Sequence, residues 1–208
     1  MDHFPAEPFS VANYHRKDAY HQRAKREGFR SRAAYKLEEI QQREQLLRRG
    51  ARVADLGCWP GGWLQVAARA VGAEGRVVGV DVRALDAPLE EANVSVLEAD
   101  LTAPGVAARV RAALGGPADV LLSDAAPKLT GIRDTDRARE EALVQAIEAL
   151  LTDLLRPGGD LLVKLLEGPE VQQIAKRLET RFVRARSLKP KASRKGTTEW
   201  YLLGRGLR

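Results

Sequence analysis

Residues 53–56, 76–81, 94–98, 119–123 and 161–166 are short apolar runs, and between them apolar residues recur at helical spacing. Strands that alternate with helices predict a parallel sheet with helices on both faces. The runs lack polar alternation, which fits strands buried on both sides. The helices are expected over 31–47, with Ser31 as N-cap and Gly50 as the stop, and over 63–71, 105–114, 134–155 and 169–181. Residues 182–188 and 199–203 read as a closing pair of strands. The ten residues between them leave no room for a crossover helix, so the last strand is expected to be antiparallel. The expectation is an α/β, Rossmann-like fold with a mostly parallel seven-stranded sheet.

At 208 residues such a chain buries enough surface to need no cross-links, and its single cysteine, Cys58, cannot form an internal disulfide. No stretch is long and apolar enough to span a membrane. Residues 1–10 carry acids and prolines without the apolar stretch of a signal peptide, so a cytoplasmic protein is expected. Residues 1–30 read as a basic arm and 31–208 as one domain. Charge is unevenly spread: residues 1–50 carry a net +4, 51–175 a net −7 and 176–208 a net +9. Basic ends around an acidic centre are the footprint of a polyanion binder. The candidate nucleic-acid contacts are Arg16, Lys17, Arg23, Lys25, Arg26, Arg30 and Arg32 in the arm and the helix that follows it, and Lys189, Lys191, Arg194 and Lys195 near the end. The three histidines lack metal-ligand spacing, and no metal is expected.

In open α/β sheets, ligands bind beyond the carboxyl ends of the strands. The first run leads into Asp55-Leu56-Gly57-Cys58-Trp59-Pro60-Gly61-Gly62-Trp63, a turn dense enough in glycine for a backbone to approach a ligand closely. Asp81 closes the second run, 20 residues after Gly61, where a carboxylate can accept both hydroxyls of a ribose. Asp100 follows the third and could accept from an adenine amine. The dinucleotide fingerprint is Gly-x-Gly-x-x-Gly, whereas this loop is Gly-x-x-x-Gly-Gly beside acidic Asp55. An acid repels pyrophosphate and suits a cationic amino-acid tail, so S-adenosylmethionine is expected rather than NAD. Asp124 follows the fourth run, and Lys164 sits inside the apolar Leu-Leu-Val-Lys-Leu-Leu of the fifth. If those strands are neighbours, the lysine gains a counter-ion at the shared rim. Otherwise it snorkels from a strand end.

These features, with Arg30-Ser31-Arg32-Ala33-Ala34-Tyr35-Lys36-Leu37-Glu38-Glu39-Ile40, Ser123-Asp124-Ala125-Ala126-Pro127, Val163-Lys164, and Lys189-Pro190 followed by Ser193-Arg194 and Glu199, resemble the FtsJ-like ribose 2′-O-methyltransferases from about Tyr20 to Arg205. The resemblance implies a catalytic Lys-Asp-Lys-Glu tetrad at Lys36, Asp124, Lys164 and Glu199. It implies cofactor contacts at Gly61, Trp63, Asp81, Asp100 and Asp124. The glycine-rich turn adds Asp55, Gly57, Pro60 and Gly62 to the expected cofactor site. The implied substrate is a uridine ribose in the A-loop of large-subunit (23S) ribosomal RNA on the assembled 50S subunit; a monomer is expected. Two positions depart from the family pattern: Cys58-Trp59 stands where small residues are usual, and Lys128-Leu129 where Asn-Met is favoured. The alternatives are the same chemistry on transfer RNA or another RNA, a non-catalytic RNA-binding ribosome assembly factor, and an NAD(P) oxidoreductase, which the glycine spacing disfavours.

Overall fold

The computed structural model describes residues 19–127, 130–166, 168–193 and 197–208. Its elements run α1 (Ala19–Arg26), α2 (Ala34–Glu44), β1 (Arg52–Leu56), α3 (Gly62–Val71), β2 (Arg76–Asp81), β3 (Val94–Glu98), α4 (Val106–Leu114), β4 (Ala118–Ser123), α5 (Arg133–Leu154), β5 (Leu155–Leu165), α6 (Pro169–Thr180), β6 (Phe182–Leu188) and β7 (Trp200–Leu207). The sheet order is β3-β2-β1-β4-β5-β7-β6. β1 to β5 pair in parallel, and β7 runs antiparallel to both β5 and β6. The order reverses between β1 and β4, which opens a crevice at the carboxyl ends of those strands.

The missing polar alternation has a direct cause. Successive residues of a strand point to opposite faces, and both faces are covered. Val53, Val77, Leu122, Leu162 and Leu203 pack into the core under α2 and α3. Their neighbours Ala54, Val78, Leu121, Leu161 and Leu202 pack into the core under α4, α5 and α6. Each large aliphatic side chain buried there contributes roughly 1.5–3 kcal/mol.

Some boundaries differ from the sequence reading. Ser31 is not an N-cap: Ala33 takes that position with helical backbone angles and no side-chain cap. The Ser31 hydroxyl packs against the start of α3, where a Cβ on Gly62 would come within 2.3 Å of it. α2 stops at Glu44, well before Gly50, because Gln45 turns left-handed at φ 49° and the Gln41 side chain bonds both the N–H and the carbonyl of Leu47. α1 forms in a segment read without a helix. It is held by rings: Tyr20 lies 5.6 Å and Phe29 5.4 Å from Tyr35, and the Arg23 guanidinium lies 4.7 Å above the same ring. β5 begins at Leu155, and its first half carries Pro157-Gly158-Gly159 through a register shift against β4. β7 runs on to Leu207. Among the described residues, no helix is long and apolar enough to cross a membrane.

Candidate active site

Strand parity explains how the charged residues of the rim come together. Asp124 lies two residues beyond Leu122, Lys164 two beyond Leu162, and Glu199 and Tyr201 share the parity of Leu203. All three leucines face the α2 side of the sheet. That places all four polar residues under α2, which supplies Lys36. Lys164 and Tyr201 are direct cross-strand partners, and Ser123 pairs with Val163.

Asp124 is the hub. Its Oδ1 accepts from the Tyr201 hydroxyl at 2.7 Å and lies 3.2 Å from Lys164 Nζ and 3.8 Å from Lys36 Nζ. Lys164 Nζ also donates to the Asp124 carbonyl at 2.6 Å, and Lys36 Nζ lies 2.9 Å from Glu199 Oε1. Two ammonium groups and two carboxylates therefore balance in a largely buried cluster, which is what makes ions tolerable there. Lys164 thus has a counter-ion and does not snorkel. Burial would raise the Glu199 pKa, but the bond to Lys36 and its charge outweigh that and hold it below the usual carboxylate range. Burial, then the Asp124 charge and hydrogen bond, push the Tyr201 phenol well up, so it stays a neutral donor. Tyr201 was not foreseen from the sequence. It lies within an apolar stretch, though its two-residue offset from Glu199 was a usable signal.

Two cavities meet at this rim. The larger, about 930 Å³, is lined by Gly57, Trp59, Asp81, Asp100 and Asp124 with apolar walls that include Ala99, Leu101, Ala125 and Leu143. The smaller, about 210 Å³, is lined by Ser31, Arg32, Ala33, Asp55, Gly57, Cys58, Trp59, Pro60, Gly62, Trp63 and Asp124. Volume alone does not select this site, since a groove of about 890 Å³ lies by Arg48, Asp160 and Arg205 toward the amino end of β5. The rim cavities are set apart by four acids, Asp55, Asp81, Asp100 and Asp124, gathered at the carboxyl ends of the strands, whereas Asp160 of the other groove is tied to Arg205 at 2.7 Å. Asp81 accepts from the backbone N–H groups of Trp59 at 2.9 Å and Arg83 at 3.0 Å. Asp100 accepts from the Thr102 hydroxyl and N–H, which lowers its pKa. Asp55 is fully buried. Desolvation, with the Asp124 and Asp81 charges, raises its pKa well above normal. Among the described residues its Oδ2 has no hydrogen-bond partner, so the pocket holds an acceptor waiting for a donor.

The glycine-rich turn is shaped by close approach. A Cβ on Gly57, at φ 76°, would lie 2.3 Å from the Ala125 Cβ, so only glycine lets the β1 and β4 loops meet. Gly61, at φ 104°, starts α3 and faces Arg30 and Leu85. Trp63 is buried, donates its indole N–H to the Ala33 carbonyl at 2.8 Å and packs 5.8 Å from the Tyr201 ring. Cys58 packs under Gly79, and burial pushes its thiol far up, which makes it a packing residue.

Residues 29–207 match the FtsJ-like methyltransferase family. The chain belongs to that family. The match is supported along most of the length. Over 191 residues the chain is 44% identical to the "Ribosomal RNA large subunit methyltransferase E" of Methanothrix thermoacetophila, covering 92% of this chain and 73% of that one. The protein of the same name from Pseudomonas aeruginosa is 40% identical over 93% of both chains. A crystal structure of a ribosomal RNA methyltransferase from Plasmodium falciparum superposes with a TM-score of 0.75 at 27% identity, over 86% of this chain and 98% of that one. The seven-stranded methyltransferase fold expected from the sequence is the one observed.

The expected RNA contacts of this FtsJ-like chain are scattered over different settings. Lys25 and Arg26 stand exposed on α1, and Lys191 is exposed in the late loop. Arg23 pairs with Glu27 at 2.7 Å, Arg30 donates to the carbonyls of Ala87 and Pro88, Arg32 donates to that of Ala192, and Lys189 to that of Thr197. Arg16, Lys17, Arg194, Lys195 and the Lys128-Leu129 pair lie outside the described residues.

Proposed function

We propose that this protein transfers a methyl group from S-adenosylmethionine to the 2′-hydroxyl of a ribose in large-subunit ribosomal RNA, a uridine of the A-loop on the assembled 50S subunit. The observation that carries the chemistry is the convergence of Lys164, Asp124, Lys36 and Glu199 at the rim of an acid-lined crevice. The names of the relatives support ribosomal RNA as the substrate.

The crevice fits the cofactor. Asp81 and Asp100 present carboxylates suited to ribose hydroxyls and an adenine amine, between apolar walls suited to a purine. The unpartnered Asp55 oxygen suits the cationic amino group of the methionine tail. Bound there, S-adenosylmethionine would supply an electrophilic methyl group on a sulfonium. The chain's own residues then handle alignment and one proton. Lys164, beside the crevice, either withdraws the proton of the hydroxyl or, as a cation, stabilises the developing alkoxide. Asp124 fixes Lys164 through its carbonyl and carboxylate. Lys36 and Glu199 form the flanking pair that positions Lys164 and the ribose.

The test is incubation of the protein and a labelled methyl donor with 50S subunits, naked 23S RNA and transfer RNA, read by nucleoside mass spectrometry. The expected product is 2′-O-methyluridine on the subunit, absent with Lys164→Ala although that variant still binds the cofactor. Label on transfer RNA instead would move the substrate. No transfer to any RNA would leave a non-catalytic assembly factor.

A further inference from the structure

We infer that Trp59 and Arg83 act as a stacked pair that holds the Asp81 carboxylate in the pose that receives the ribose hydroxyls of the cofactor. The inference rests on the reading that an adenosine moiety occupies the crevice.

Three contacts close a ring. Asp81 Oδ2 accepts the Trp59 N–H at 2.9 Å, and Asp81 Oδ1 accepts the Arg83 N–H at 3.0 Å. The Arg83 guanidinium carbon then sits 3.8 Å above the Trp59 ring. Trp59 leaves the end of β1 and Arg83 the end of β2, adjacent parallel strands in which Leu56 pairs with Val80. The side-chain stack therefore ties together the two loops whose backbones grip the acid. Each carboxylate oxygen has two acceptor directions. One on each is taken by the chain, which leaves one on each for a pair of vicinal hydroxyls. A planar guanidinium suits this stack better than an ammonium does.

Trp59 is also placed to matter. It lines both rim cavities, and it remains 36% exposed in this structure, a large apolar surface at the mouth of a ligand crevice. A small residue at this position, as in the family pattern, would leave Arg83 nothing to stack on and the two loops that grip Asp81 untied from each other.

Calorimetric titration with S-adenosylhomocysteine and its 2′-deoxyribose analogue tests the assignment. Trp59→Ala and Arg83→Ala should each weaken S-adenosylhomocysteine about fivefold, the range of an exposed cation–π contact. The double variant should be no weaker than the worse single one, since the two side chains act as a unit. The 2′-deoxy analogue, already weak with the natural protein, should change less than about twofold, and Trp59→Phe with Arg83 retained should restore most of the affinity. Equal weakening of both ligands, or additive losses in the double variant, would overturn the inference. Failure of the natural protein to bind either ligand would instead overturn the reading of the crevice as the cofactor site.

Discussion

Removal of one hydroxyl probes the hub of the rim. In Tyr201→Phe the donor to Asp124 Oδ1 at 2.7 Å disappears, while the ring keeps its packing 5.8 Å from Trp63. A hydrogen bond to a charged group contributes about 1.5–3 kcal/mol. Asp124 Oδ1 would still have Lys164 at 3.2 Å and Lys36 at 3.8 Å, so the carboxylate is not stranded. The loss should therefore fall at the low end, about 1.5 kcal/mol. For a chain of this length that is a fall of roughly 3–6 °C in Tm. The carboxylate also loses its fixed direction, so Lys164 is held less well. Methyl transfer should drop about tenfold, equivalent to about 1.4 kcal/mol in the barrier. Urea unfolding followed by fluorescence measures the first effect, and single-turnover methyl incorporation the second. A variant with natural stability and natural turnover would refute the assignment of Asp124 as the hub.

The other rim acids make distinct predictions. Glu199 has a depressed pKa when folded, so its contribution to stability is present above the unfolded carboxylate pKa and is lost as pH falls through the folded one. The stability gap between the natural protein and Glu199→Gln, measured by urea unfolding from pH 7 to 3, should shrink toward zero at the acid end. Asp55 has the opposite sign: a raised folded pKa costs stability as pH rises. Asp55→Asn should therefore raise the Tm of the ligand-free protein at pH 7 while weakening S-adenosylmethionine about tenfold, a loss of about 1.4 kcal/mol by calorimetry. Charge reversal at Lys25, Arg26 and Lys191 should flatten the log–log salt dependence of RNA binding by about 0.7–0.9 for each phosphate no longer neutralised. An unchanged slope would remove those residues from the interface.

The fold was legible because the chain buries both faces of its sheet. Val53 and Ala54, or Leu161 and Leu162, serve opposite cores, so neither could be polar without cost. What escaped the reading was set by particular side chains. No periodicity announces that Gln41 will clasp Leu47 and end α2 early. Ser31 has the chemistry of a cap, yet its backbone joins a turn and its hydroxyl packs against Gly62. α1 is short and basic, and its order comes from stacking on Tyr35, which lies on a different helix.

The rim was legible for a different reason. A lysine inside Leu-Leu-Val-Lys-Leu-Leu must be answered by a charge, and Asp124 ends the neighbouring strand. Parity in twos then ties Asp124, Lys164, Tyr201 and Glu199 to the face that Leu122, Leu162 and Leu203 occupy. That parity is written in the sequence. The identity of the helix over that face is not, because it depends on how the chain crosses the sheet. Once α2 lies there, Lys36 becomes the second cation by necessity, since Asp124 and Glu199 on one side of Lys164 would otherwise leave a buried net negative charge. Lys36→Met should then destabilise the protein more than Lys36→Arg does, as a thermal melt of the two variants would show.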